Sequence, residues 1–111
     1  MTEETRFRLR EVASILQSYG LAERGAFVAK TADTSEPELW EVLSGLEFWG
    51  GSGAVWEAPA FNSLDLVRPE GEADYRRFMV LMIELADALR AHGLDQLARP
   101  TAELFRRELA S

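Results

Sequence analysis

Hydrophobic positions recur at helical spacing along most of this chain, and the points where the recurrence stops are marked by glycine. Leu9, Val12, Leu16 and Tyr19 follow one another at three and four residues, with Ile15 beside them, which predicts an amphipathic helix over residues 3–19. Gly20 ends it. With Gly20 at the C′ position, Leu16 falls at C3 and Leu21 at C″, the apolar pair that closes a left-handed helix end. The relation returns downstream, where Gly93 at C′ sets Leu89 against Leu94. That second stop closes the most regular segment, residues 72–92, in which Tyr75, Phe78, Met82, Leu85 and Leu89 repeat while Met79, Ile83 and Ala86 broaden the stripe. So wide a stripe suits a central helix that touches several neighbours.

Residues 21–32 predict a shorter helix, rich in alanine and weakened by Gly25. Ser35 and Glu38 stand at capping-box spacing, and Glu36 and Glu38 favour the positive end of a helix dipole. The helix they open draws its buried face from Leu39, Val42, Leu43 and Leu46 and fails near Trp49, where Gly50-Gly51-Ser52-Gly53 follows. On that helical wheel Trp40 lies off the apolar face, between Glu36, Ser44 and Glu47, and Phe48 falls nearly opposite it, close to Glu41. Two outcomes stay open: a second layer drawn from residues 54–68 covers both aromatics, or they stand out as a patch rimmed by carboxylates.

Residues 54–68 hold no period for long, and Pro59 interrupts them; short helical turns are expected there, with a small hairpin as the alternative. Asp95 is expected to cap a short turn that Arg99-Pro100 breaks, and Thr101 to open a last helix carrying Leu104, Phe105 and Leu109. The fold class is therefore all-α: a compact orthogonal bundle of four or five helices with an irregular middle segment, in one domain over residues 1–111.

Charge changes the picture more than composition does. The net charge of −7 disfavours nucleic acid and anionic membrane surfaces, both of which are bound largely by Lys and Arg. Its distribution is uneven. Between Lys30 and Arg68 there is no basic residue, yet Asp33, Glu36, Glu38, Glu41, Glu47, Glu57 and Asp65 all fall there, together with Trp40, Trp49 and Trp56. The arginines sit in the segments on either side.

Other chemistry is sparse. The chain has no cysteine, which excludes disulfides, thiolate zinc sites and thiol nucleophiles. His92 is the single histidine, placed in the last turn of a long helix where the dipole favours a cation. Glu84 and Asp87 share a helix face with Arg76 and Arg77, which reads as an exposed charged surface. The glycine run lacks the lysine of a phosphate-binding loop, and Trp56 stands where a dinucleotide fingerprint needs its third glycine. No catalytic residue, metal site or cofactor is assigned. The acidic start, Met1-Thr2-Glu3-Glu4, runs into Arg6, Arg8 and Arg10 without the apolar stretch of a secretory signal. The longest apolar run, residues 78–83, is far short of the ~18 residues of a membrane span. No membrane partner and a cytoplasmic location are expected.

The stretch Phe48-Trp49-Gly50-Gly51-Ser52-Gly53-Ala54-Val55-Trp56-Glu57 resembles a turn in a small bacterial family of unknown function. That family reads aromatic-Gly-Gly-Met-Gly-Ser-hydrophobic-Asn-Asp between a helical first half and a long helix. Here Ser52 replaces Met, Ala54 replaces Ser and Trp56-Glu57 replaces Asn-Asp, so the glycines match and the polar residues do not. In size, acidity and expected helicity the chain also resembles the immunity proteins that block basic nuclease toxins in bacteria. The acidic, tryptophan-bearing middle segment leads to the expectation of a non-enzymatic module that binds a basic protein partner through Glu36, Trp40, Glu41, Glu47, Phe48, Trp56 and Glu57, by charge steering followed by burial of an aromatic anchor. The resemblance makes an immunity-type inhibitor its most specific form. The alternatives are a homodimer that pairs this aromatic patch with its own copy, and a small-ligand pocket lined by Trp49, Trp56 and Phe61.

Overall fold

A computed structural model describes residues 2–59 and 68–111. Its helices are α1 (Thr2–Ser18), α2 (Ala22–Ala32), α3 (Glu38–Leu43), α4 (Leu46–Trp49), α5 (Glu72–Ala91) and α6 (Arg99–Ala110), with 3-10 turns at Val55–Glu57 and Pro69–Gly71. No strand occurs among the described residues, and the protein is all-α. Helix α1 packs along both α2 and α5, and α6 lies on α5. Leu9, Val12, Leu16, Phe78, Leu85 and Leu89, from the two apolar stripes, are fully buried.

Both glycine stops form as the pattern predicts. Gly20 has φ +82° and Gly93 φ +71°. The Leu21 N–H donates to the Leu16 carbonyl at 2.9 Å and the Gly20 N–H to Gln17 at 3.2 Å; Leu94 and Gly93 repeat this with Leu89 and Arg90 at 2.9 and 3.0 Å. These bonds satisfy carbonyls that a helix end otherwise leaves free. At α2 a distant side chain does the same work: Arg6 donates to the Ala32 and Thr34 carbonyls at 2.6 and 2.8 Å. Gly25 is present for closeness. A Cβ built there would lie 2.4 Å from Gln17 Cγ and 3.1 Å from the Ala13 carbonyl oxygen, so α1 and α2 approach where only glycine fits.

The middle segment departs from the expected single helix. Gly45, with ψ 179°, ends α3 and serves as the N-cap of α4, so the helical phase is reset between them. Helix α3 turns Leu39, Trp40 and Leu43 inward, and α4 buries Phe48 and Trp49 but leaves Leu46 69% exposed. The capping box does not form: α3 has Pro37 at its N-cap with no side-chain cap, and the Ser35 carbonyl, not its hydroxyl, accepts the Leu39 N–H at 3.0 Å. Helix α6 starts earlier than expected. Pro100 sits in its first turn, where the missing N–H costs nothing because that donor would have no helical partner. Thr101 is buried inside the helix, and the Asp95 backbone carbonyl accepts the Arg99 N–H at 2.9 Å. The expected helical turns appear over residues 55–59, and the rest of that segment up to residue 67 lies outside the described residues.

Candidate functional site

The carboxylates and tryptophans between Lys30 and Arg68 occupy a run of short helices, and the structure sorts them into two groups. The tryptophans hold the run together. Each indole N–H donates to a group four to six residues upstream: Trp40 to the Glu36 carboxylate at 2.6 Å, Trp49 to the Leu43 carbonyl at 2.6 Å, Trp56 to the Gly50 carbonyl at 2.7 Å. Leu43 and Gly50 lie at the ends of α3 and α4, so these donors seal short helices whose own bonding leaves most carbonyls unpaired. Their rings reach the bundle. Trp40 packs against His92 at the end of α5 with centroids 4.0 Å apart and the rings tilted by 31°, and Trp56 meets Phe105 of α6 edge-on at 6.2 Å. Phe48 packs against Phe27 of α2 at 5.3 Å.

Trp40 is 6% exposed and Phe48 is fully buried. Both belong to the core, which removes them from any partner surface. The reason is the break at Gly45 and the rotation of α3, which the continuous wheel did not contain. Trp56 is half-buried with its N–H engaged. Trp49 is buried too, and Phe61, the third residue of the expected ligand pocket, lies outside the described residues.

The carboxylates also divide. Glu57 accepts the Gly53 N–H at 2.7 Å and so fixes the glycine turn. Glu36 accepts from Trp40, and its carboxyl is held below the ordinary value, first by that bond, then by Thr2 and by the charges of Arg6 and His92. Glu38, Glu41 and Glu47 are exposed and form no ion pair among the described residues. Beside them stands Leu46, an open groove running from it through Glu47 and Gly51–Ala54 to Arg24. Sequence reasoning assigned Leu46 to the core. It also passed over Phe7 of α1, which is 68% exposed. Phe7 had a usable signal, an aromatic between Arg6 and Arg8 outside the Leu9–Val12–Leu16 stripe; Leu46 had none.

Among the described residues no group of three or more His, Asp or Glu side chains is placed to hold a metal ion, and no helix is long and apolar enough to cross a membrane. Comparison with known proteins finds no matching family model, no matching curated protein and no matching solved structure.

Proposed function

We propose that this protein is a non-enzymatic binding module that meets a basic protein partner on the exposed edge of α3 and α4. The observation that carries the reading is Leu46, an exposed apolar side chain in a stretch whose outward charges, Glu38, Glu41 and Glu47, are all negative. Unpaired carboxylates steer a basic surface into contact, and Leu46 gives that contact an apolar centre. Trp40 and Phe48 support the surface from behind. The most specific form of the reading is a cytoplasmic, immunity-type inhibitor of a basic nuclease-like toxin, which the acidity, size and helicity support.

The test begins with capture of a stoichiometric basic protein from a bacterial lysate at low salt. Glu41→Lys with Glu47→Lys should slow association with that protein, and added salt should slow association of the wild type. Leu46→Ala should speed dissociation, costing about 1 kcal/mol of affinity for the apolar area lost. Binding of the double charge variant at the wild-type rate, insensitive to salt, removes the acidic edge from consideration.

A further inference from the structure

Two openings on the surface share a wall. One, of about 250 Å³, runs from Leu46 and Glu47 over the glycine turn to Arg24; the other, of about 440 Å³, runs from Arg24 and Gly53 to Glu23 and Gly20. Arg24 and Gly53 border both, so the two make one groove that leads from α4 across the turn to the start of α2. The charges along it are free: Glu23, Arg24 and Glu47 form no ion pair among the described residues. Arg24 is the only cation that lines either opening among the described residues, and it is half-buried. Its Nη2 lies 3.4 Å from where a Cβ on Gly53 would stand, so the guanidinium rests against the turn. Glu57 is turned away to the Gly53 N–H, 2.7 Å from its Oε1, and does not pair with Arg24. The groove therefore holds a fork of donors that suits a carboxylate, flanked on both sides by unpaired carboxylates. Its floor is backbone, and the Gly51 and Ser52 N–H groups donate to no backbone acceptor among the described residues. A helical occupant would bring carbonyls already engaged within itself; an extended one brings them free.

We infer that this groove takes an extended segment of the basic partner in which one acidic side chain stands between basic ones. The inference rests on the acidic-edge reading above and narrows the partner it describes. The acidic side chain pairs with Arg24, its basic neighbours meet Glu47 on one side and Glu23 on the other, and an apolar residue at the α4 end covers Leu46. Main-chain carbonyls of the segment accept from Gly51 and Ser52. A uniformly basic segment would drive a cation against Arg24, and a uniformly acidic one would meet Glu23 and Glu47. Arg24 thus determines specificity, because it penalises the basic segments that the acidic edge alone would accept.

The probes are two acetylated, amidated peptides, Leu-Lys-Ser-Glu-Lys and the same residues in reverse order, titrated into isotope-labelled protein and followed by NMR. One of them should move the amide resonances of Arg24, Leu46, Glu47, Gly51 and Ser52 saturably, with a Kd on the order of 1 mM. Replacing its glutamate with lysine should weaken binding about tenfold, because like charges then meet at Arg24. Arg24→Glu should reverse the preference in favour of the lysine peptide, a reversal that loss of folding would not give. Circular dichroism melts confirm that the variant is folded before it is titrated. Equal binding of both peptides by wild type, with shifts at Leu46 and Glu47, overturns the role of Arg24 and leaves the acidic edge standing. An unreversed preference in folded Arg24→Glu overturns it too. If neither glutamate peptide moves these resonances, the groove is not the site, and the acidic edge is judged by the captured partner alone.

Discussion

The indole of Trp40 packs against the His92 ring, tilted by 31° with centroids 4.0 Å apart, while its N–H donates to Glu36 at 2.6 Å. One side chain thereby joins the entry to α3 with the end of α5. The bond lowers the folded-state affinity of Glu36 for a proton, so whatever stability it gives is present above the ordinary carboxyl value of 4.5 and is lost as pH falls through the lowered one. Melting temperature should therefore drop on acidification below about pH 4.5 less steeply in Glu36→Gln than in wild type. The Trp40 indole proton resonance should move over the same range in wild type alone. Parallel melting curves for the two proteins would show that Glu36 contributes nothing to the pH dependence.

Glycine is required in this chain for two separable reasons, and substitution tells them apart. At Gly20 and Gly93 no atom lies within 4 Å of a built Cβ, so only the positive φ opposes a side chain. Gly20→Val and Gly93→Val should each cost about 1–2 kcal/mol, and Gly20→Asn less, since Asn enters the left-handed region more readily. At Gly25 the obstacle is space. Gly25→Ala should be destabilising despite the better helix propensity of alanine, and the loss should shrink in a Gln17→Ala background that removes the 2.4 Å contact. Equal losses in both backgrounds, read by urea denaturation, would place the strain at the Ala13 carbonyl instead.

Helix α5 and the two glycine stops were legible because their signals are local: a long apolar repeat, and a leucine pair set around a glycine. The break at Gly45 was not. A glycine inside a helical pattern costs about 1 kcal/mol relative to alanine and is often tolerated, so tertiary packing decides whether the helix continues. Here burial of Trp40, Phe48 and Trp49 together outweighs continuity, and the inward face of α3 turns by roughly 60° from the expected one. The charge asymmetry of the candidate site could be read from the residue order; its apolar centre could not, because Leu46 changed sides. The two readings differ in stability as well. Leu46→Ala should change it by about 0.5 kcal/mol or less, whereas Phe48→Ala should cost about 3–5 kcal/mol. The reverse order would restore the uninterrupted helix.

The tryptophan donors allow a finer test of what holds the middle segment together. Trp49 is 5% exposed and its bond to the Leu43 carbonyl is buried, so Trp49→Phe leaves that carbonyl with no donor and no water to replace it. An unsatisfied buried acceptor costs about 1–3 kcal/mol, and the volume lost between indole and phenyl adds to it. Trp56 makes the same kind of bond, to Gly50 at 2.7 Å, from a half-buried position that solvent reaches. Water can take over the Gly50 carbonyl there, so Trp56→Phe should cost about 1 kcal/mol and mostly through its contact with Phe105. Urea midpoints at a common slope give both values directly. If the tryptophans act only as apolar bulk, the two substitutions should differ no more than their burial does, and Trp49→Phe should lose little beyond the area of the missing ring. A loss at Trp49 that exceeds the loss at Trp56 by 1 kcal/mol or more, about fivefold in the folding equilibrium, is the outcome expected if the indole N–H seals the end of α3.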